Sequence, residues 1–371
     1  MKTWHLLAPE YPPVCGGVGD YTALLAAGLA GAGDQVHVWY PSVPDASTEN
    51  GPRLTVHHLP DRFGPRSRRV LEQALSAAPG IVVAQYVPGA FGARGLNVPF
   101  CHWLSSLRRG GADVRVMFHE PFFYFGWARP WRNLFAVVQR VMAAILLRAS
   151  TRVYYSTETW QRLLAPYGPQ GVVEVLPIPA TIPGEVPPGA LADARRRRRG
   201  EFLIGHFGTY GDHVGRQLDQ VLPAMLRRLS GSRALLVGSG SEAFARTLPA
   251  DVRDRVDATG RLSGMDAASA LRACDLLVQP YPDGVTTRRT SVMSGLTTGI
   301  PVLTTSGPLT EPVWARSSGV ALVQAGQVTA LVDAAVRLAA DPGERATLGA
   351  RGRALYDAEF ALDKTIVRMR R

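Results

Sequence analysis

The sequence predicts an α/β protein made of two Rossmann-like halves, each a doubly wound parallel sheet. Three observations carry that expectation. Short β-branched runs alternate with helical patterns along the chain, the βαβ signature of a parallel sheet covered on both faces. A proline-dense stretch over 177–188 interrupts the alternation near the middle and reads as a linker. The 371 residues, 46% hydrophobic and 19% charged, suit two globular domains and exclude a disordered chain. Two such halves joined by a link imply a ligand cleft that both face.

The elements follow in order. A first strand over 3–8 leads through a glycine-rich loop into a helix near 19–32. Strands follow at 36–40, 54–59, 81–86, 114–119, 152–156 and 172–176, with helices near 67–78, 130–149 and 157–166. After the linker the pattern restarts. Strands are expected at 202–207, 234–237, 257–259, 276–279, 302–305 and 320–323. Helices are expected near 215–229, 241–248, 266–273, 289–298, 327–340, 343–357 and 361–369. In the helix near 130–149, Leu134, Val138, Val141 and Ile145 share one face, which reads as ordinary core packing.

The net charge of +11 is spread: residues 1–180 hold 16 Lys+Arg against 11 Asp+Glu, and residues 181–371 hold 25 against 19. The one dense run, five arginines at 195–199, reads as a solvated face. No zinc-finger spacing, homeodomain-like helix or RNP-like strand is present, which argues against a nucleic-acid partner. Attraction to an anionic membrane surface stays open. Cys15, Cys101 and Cys274 are few and far apart, so no disulfide framework or metal-ligand spacing is expected. The opening MKTWHLLAPEYPP has too short an apolar run for a signal peptide, and the helix near 134–147 falls short of a bilayer span. A cytoplasmic protein is expected, with peripheral contact at the inner membrane face left open.

The most informative stretch is 283–301, DGVTTRRTSVMSGLTTGIP. It follows a buried-strand pattern and runs into helical spacing. In open α/β sheets, ligands bind where strands end and helices begin. A helix N-terminus favours anions, and Arg288, Arg289 and several hydroxyls stand at that place, which points to a phosphorylated ligand. Gly16, Gly17 and Gly19 form a second such junction, either a phosphate-facing loop or a plain tight turn. They do not form the G-x-G-x-x-G dinucleotide fingerprint. His119 ends another strand and is followed by Glu120, Phe122, Phe123, Tyr124 and Phe125. Such a histidine can contact a sugar hydroxyl or move a proton, or it can be a satisfied core residue. Gly208 with Thr209, and Gly238 with Ser239 and Gly240, close the first two strands of the second half. No D-x-D, P-loop or G-x-S-x-G motif occurs.

In order and spacing, these pieces resemble the retaining glycosyltransferases of family 4, which have the two-domain GT-B fold. The segments that carry the resemblance are PEYPPVCGGVGDYTALLAAGLAGAGDQVHVW, VMFHEPF, EVLPIPATIP, FGTYGDHVGRQLDQVLPAML, LLVGSGSE, ACDLLVQPYPDG and TTRRTSVMSGLTTGIPVLTTSGPLTEPVW. The resemblance implies an acceptor domain over 1–180, a donor domain over 181–355 and a helix over 356–371 that packs back on the first domain. It implies transfer of a sugar from a nucleoside-diphosphate donor to a glycan, lipid-linked or small-molecule hydroxyl, with retention and with neither metal nor cofactor. Gly16 and Gly17 match the glycine loop facing the donor diphosphate, His119 the histidine near the transferred sugar, and Gly208 the glycine of the second domain's first loop.

The usual pair of donor-loop glutamates is not matched. Asp283 stands for the first, and either Ser291 or Ser294 for the second, depending on the direction of alignment. The basic pair of the second domain's first loop is replaced by Thr209, Asp212, His213 and Val214. A subset of the family with an Arg-Arg-Ser/Thr-like donor loop is similar to this chain. There the cation for the leaving diphosphate is placed on Arg288 or Arg289, helped by Arg216. The expected site is therefore His119, Arg288 and Arg289 as catalytic groups. Gly16, Gly17, Gly208, Thr209, Arg216, Gly238, Asp283, Gly284, Thr290 and Ser291 would meet the donor, and Glu120, Phe122 and Tyr124 the acceptor. A non-catalytic nucleotide-sugar or glycan-binding protein on the same scaffold is the alternative. An NAD-dependent dehydrogenase fits the α/β halves but lacks the fingerprint.

Overall fold

The computed structural model describes residues 1–14, 16–41, 51–89, 91–127, 130–187, 189 and 201–371, with only the backbone of Asp212. Cys15 and the arginines at 195–199 lie outside the described residues. The chain divides into two compact units, Met1–Pro177 with Thr365–Arg371, and Ile178–Lys364.

The first unit holds a seven-stranded sheet of β1 (Thr3–Leu7), β2 (Gln35–Pro41), β3 (Leu54–Leu59), β4 (Ile81–Tyr86), β5 (Val114–Phe118), β6 (Arg152–Tyr155) and β7 (Val172–Val175). Their order is β3-β2-β1-β4-β5-β6-β7 and every pair is parallel. The central strands β4 and β5 are buried at every position, as expected for strands covered on both faces. The order reverses between β1 and β4, so the loops leaving their C-terminal ends diverge there and open a crevice.

The helix Val98–Arg109 was not expected from the sequence. Asn97 caps it by accepting from the Phe100 N–H, Pro99 lies in its first turn, and Phe100, Cys101, Trp103 and Leu104 are buried. Phe100, Trp103, Leu104 and Leu107 do recur at helical spacing, and the sequence reading passed over them.

The helix Arg132–Ala149 forms as expected but turns the other way. Its core face is Ala136, Gln139, Met142, Ala143, Leu146 and Leu147. Leu134 and Val141 point to solvent, and Val138 and Ile145 are only half-buried. The sequence reading of that face as core is thereby corrected. The small Ala136 and Ala143 let the backbone pack closely, while Gln139 is buried because its Oε1 accepts from the Phe123 N–H at 2.9 Å. A helix apolar on both sides offers no period that decides between them.

The C-terminal helix Leu362–Arg370 contributes its last residues to this unit. Asp34, fully buried, accepts from the Lys2 N–H at 2.9 Å and Trp4 Nε1 at 3.0 Å, and pairs with Arg370 at 2.9 Å. Arg115 reaches the Met369 carbonyl at 2.6 Å and the Tyr154 hydroxyl at 3.0 Å. Charge-assisted bonds of this kind are the strong ones.

The second unit holds β8 (Phe202–Phe207), β9 (Ser232–Val237), β10 (Val256–Ala258), β11 (Leu276–Gln279), β12 (Val302–Ser306) and β13 (Ala321–Gln324) in the order β10-β9-β8-β11-β12-β13, again all parallel. Helices Asp212–Arg228 and Val328–Ala340 pack beside the sheet around Leu218, Leu222, Leu331 and Leu338. Helices Gly264–Arg272 and Thr290–Thr298 pack with Ala268, Leu271, Val292 and Leu296 in a second cluster. The short helices Ala250–Arg253 and Pro312–Ser317 were not expected. The strand order reverses between β8 and β11, so this sheet too has a switch point. Among the described residues, no helix is long and apolar enough to cross a membrane.

Candidate active site

In the second unit the switch point gathers three loops. After β8, the segment 208–211 turns into the helix Asp212–Arg228. After β9, Gly238 takes φ +122°, and a Cβ there would lie 2.1 Å from the Gly208 carbonyl oxygen. Only glycine allows that contact. Gly208 itself has φ +152° and open space where a Cβ would stand. Tyr210 covers the back of this turn, and Thr209, His213 and Arg216 are exposed, with Arg216 Nη2 3.2 Å from His213 Nδ1.

After β11 runs the third loop, 280–289. It is held at four points. Tyr281 N–H donates to Thr305 Oγ1 at 2.7 Å, and that hydroxyl donates back to the Tyr281 carbonyl at 2.6 Å. Val285 N–H bonds the Thr305 carbonyl at 2.7 Å. Gly284, at φ +86°, lies so close to the next loop that a Cβ would meet Thr310 Oγ1 at 2.2 Å and Gly307 N at 2.3 Å. Glu311, almost fully buried, accepts from Thr287 Oγ1 at 2.6 Å, from the Thr287 N–H at 3.0 Å and from Trp314 Nε1 at 3.0 Å. Burial raises the Glu311 carboxyl above its usual range, while the bonds from Thr287 and Trp314 oppose the shift.

This loop delivers Arg288 and Arg289, both half-buried, to the start of helix Thr290–Thr298. The Arg289 guanidinium lies 4.3 Å from the centre of the Tyr281 ring, a cation–π contact that fixes the ring and the cation together. Tyr281 Oη in turn bonds Ser291 Oγ at 2.6 Å. At this helix start several N–H groups bond backward into the loop: Arg289 to Thr286 O, Thr290 to Arg288 O and Val292 to Arg289 O. The positive charge offered here therefore rests chiefly on the two guanidinium groups, not on bare helix N–H groups.

In the first unit, the helix Gly17–Gly31 starts behind β1. The Glu10 carboxylate lies over that start and accepts from the Gly19 N–H at 3.1 Å. A Cβ on Gly16 would fall within 2.2 Å of the Glu10 carboxylate, whereas Gly17 faces open space. Burial and the charge of Glu10 raise the neighbouring Asp20 carboxyl above its usual range. His119 lies at the end of β5, almost buried, with Nε2 2.8 Å from Gln85 Oε1 and its ring edge-on to Tyr21 at 5.0 Å. Its carbonyl accepts from Ser156 Oγ and Trp160 Nε1. Gln85 thus orients the imidazole.

Two glycosyltransferase families divide this chain between them. One described as "Glycosyl transferase 4-like domain" matches residues 16–179, and one described as "Glycosyl transferases group 1" matches residues 201–341. The chain belongs to the GT-B glycosyltransferases. A GDP-mannose-dependent monoacylated alpha-(1-6)-phosphatidylinositol monomannoside mannosyltransferase of Corynebacterium glutamicum is 30% identical over 39% of this chain. The chain spans 39% of that relative's length. Among solved structures, the sucrose-phosphate synthase of Thermosynechococcus elongatus superposes with a TM-score of 0.76 at 17% identity, covering 100% of this chain and 97% of its own. HepE of Anabaena, solved with UDP-glucose, gives 0.70 at 14% identity over 100% and 98%. WaaG, a glycosyltransferase of lipopolysaccharide biosynthesis, gives 0.68 at 16% identity over 99% and 98%. At these identities the likeness is one of fold.

Gly208, Gly238, Gly284, Arg288, Arg289, Thr290 and Ser291 belong to the second unit's switch point, where the sequence reading put them. Asp283 is exposed, and its carbonyl rather than its carboxylate is bonded, to the Leu309 N–H at 3.0 Å. Ser294 is fully buried and its hydroxyl is spent on the Thr290 carbonyl, so of the two serines only Ser291 borders the loop. Of the three residues expected to meet an acceptor, Glu120 and Tyr124 are exposed, but Phe122 is not available. It is packed in the core with Tyr167 and beneath Arg140. The sequence reading missed Glu311, Tyr281 and Gln85, the residues that hold the loop and the histidine in place. Glu311 stands 24 positions beyond Thr287, and no local pattern reveals a partner at that separation.

Proposed function

We propose that this chain is a retaining glycosyltransferase that takes a sugar from a nucleoside-diphosphate donor without a metal. The observation that carries the reading is the Arg288–Arg289 pair, fixed at the switch point of the second unit by Tyr281 and Glu311. Guanidinium forks suit phosphate oxygens, and charge develops on those oxygens as the sugar leaves. The second unit is assigned the donor and the first the acceptor. Gly208, with open space where a Cβ would stand, lets a nucleotide approach the backbone, and the Ser291 hydroxyl borders the arginine loop.

The step is a front-face displacement. The bond from the anomeric carbon to the diphosphate oxygen breaks, the acceptor oxygen bonds to that carbon on the same face, and the acceptor proton passes to the departing phosphate oxygen. His119, oriented by Gln85, positions the transferred sugar. Support for a nucleoside-diphosphate sugar comes from the relatives, which include a GDP-mannose-dependent enzyme and a protein solved with UDP-glucose. The acceptor class is a hydroxyl on a glycan or on a lipid carrier.

The test is a hydrolysis and transfer screen over GDP- and UDP-sugars, with the product anomer read by NMR and EDTA present throughout. Turnover with retained configuration and no loss to EDTA is expected. A second reading, a nucleotide-sugar-binding protein without turnover, is favoured by the sequence, which has Ser291 or Ser294 where the resemblance implies a carboxylate. Saturable binding of a donor with no turnover on any acceptor would select it.

A further inference from the structure

The outer side of the first unit carries an apolar surface that its core does not use. Trp127 is 94% exposed, Trp131 62%, Leu134 65% and Tyr124 59%. Phe125, Val137 and Val141 are exposed as well. On the helix Arg132–Ala149, residues 134, 137, 138 and 141 recur at three- and four-residue spacing and so form one stripe, with Trp131 just before it. A surface helix normally turns polar residues outward; this one turns leucine and valine outward opposite a well-packed inner face.

The aromatic loop is fixed to this helix and belongs to the same surface. The Gly126 N–H bonds Asn133 Oδ1 at 3.0 Å. The Arg140 guanidinium lies 4.1 Å from the Phe125 ring centre and donates to the Phe123 carbonyl at 3.0 Å. Arg132 lies 4.6 Å from the Phe123 ring centre. The loop leaves the strand that ends in His119, so the surface begins beside the candidate acceptor site.

Arginine outweighs acid around it, although the exposed Glu120 stands just before the loop. Residues 121–157 contain five arginines and no aspartate or glutamate. The adjoining helix Val98–Arg109 also lacks an acid and ends on exposed Arg108 and Arg109. Tryptophan, tyrosine and arginine around a stripe of leucine and valine are the side chains that settle at a bilayer interface. The rings enter the headgroup level, the aliphatic residues reach the acyl boundary, and the cations meet anionic headgroups. Pairing two copies through this face would instead bring arginine-rich surfaces together.

We propose that loop 122–127 and the outer face of helix Arg132–Ala149 dock the first unit on an anionic phospholipid surface. Docking stands apart from the reaction. Resting on the sugar-transfer reading, it would favour acceptors carried on a lipid, presented next to His119.

The test is co-sedimentation of the full chain with vesicles of phosphatidylglycerol and phosphatidylcholine, and with phosphatidylcholine alone. Binding to the anionic vesicles, weakened by added salt, is expected, with little binding to the neutral ones. The variant Trp127→Ser, Trp131→Ser, Leu134→Gln, Val141→Gln alters exposed side chains only and should melt like the parent, while vesicle partition falls at least tenfold. Arg148→Gln should weaken partition by roughly fivefold. Failure to bind anionic vesicles, or undiminished binding by the fourfold variant, overturns the proposal. So does light scattering that shows a parent dimer which the fourfold variant dissolves, since the face would then cover a second copy. None of these readings uses sugar transfer, so loss of the docking proposal leaves the catalytic one to its own test.

Discussion

At Gly238 the second unit has no room for a side chain. A Cβ there would meet the Gly208 carbonyl at 2.1 Å, and φ is +122°. Gly238→Ala is therefore expected to cost on the order of 1–3 kcal/mol and to push the Gly208 turn out of place, measured by urea denaturation together with donor affinity. Arg288 is a different kind of residue. It is half-buried at a loop end, so Arg288→Ala should leave the melting temperature nearly unchanged while turnover falls at least tenfold, an effect of about 1.4 kcal/mol or more on the barrier. The two arginines were legible because their residue type and their place between strand and helix coincide. Ser291 and Ser294 were not distinguishable in sequence, since both fit an alignment. Three residues apart, they lie near one face of the helix, and depth decides between them: Ser291 is half-buried in the first turn, whereas Ser294 is enclosed.

The loop 280–289 owes its shape to a neighbouring element. Glu311 sits before the helix Pro312–Ser317 and takes three hydrogen bonds from Thr287 and Trp314. Removing it leaves buried N–H groups without an acceptor, at about 1–3 kcal/mol for each. Glu311→Ala should thus destabilise the second unit and lower donor affinity together, with Glu311→Gln recovering part of both.

In the first unit the strands β1, β2 and β3 carry a row of imidazoles. His37 and His57 share a contact of 3.0 Å, His5 stacks on His37, and Trp39 stacks on His57 at 3.9 Å. Burial, followed by the charges of His37, His5 and His58, lowers His57 from 6.5 to about 4. Burial lowers His5 and His37 too. Below pH 6.5 the unfolded chain binds protons that the fold refuses, so stability is full above that value and declines as pH falls toward about 4. His57→Phe should flatten this decline, as read by thermal melts across that window.

Strands with strong β-branched runs were legible in sequence because period and composition agree. The helix Val98–Arg109 was missed although Phe100, Trp103, Leu104 and Leu107 keep a helical spacing. The inward face of Arg132–Ala149 was misread because that helix is apolar on both sides.

For the whole molecule, the division into two parallel-sheet units was written in the βαβ alternation and the proline-dense link, because such features are local. What the chain could not show by itself were the pairings between distant loops that shape each switch point. In the proposed function the donor binds the second unit, with Arg288 and Arg289 holding its phosphates. Thermal unfolding with added GDP, UDP and the matching nucleosides tests it most directly. At a ligand concentration of about 100 times Kd, a stabilisation of roughly 2.7 kcal/mol is expected, seen with at least one diphosphate and with neither nucleoside. The Arg288→Ala, Arg289→Ala double variant should lose it. No shift with either diphosphate, or an equal shift in the double variant, would contradict the account.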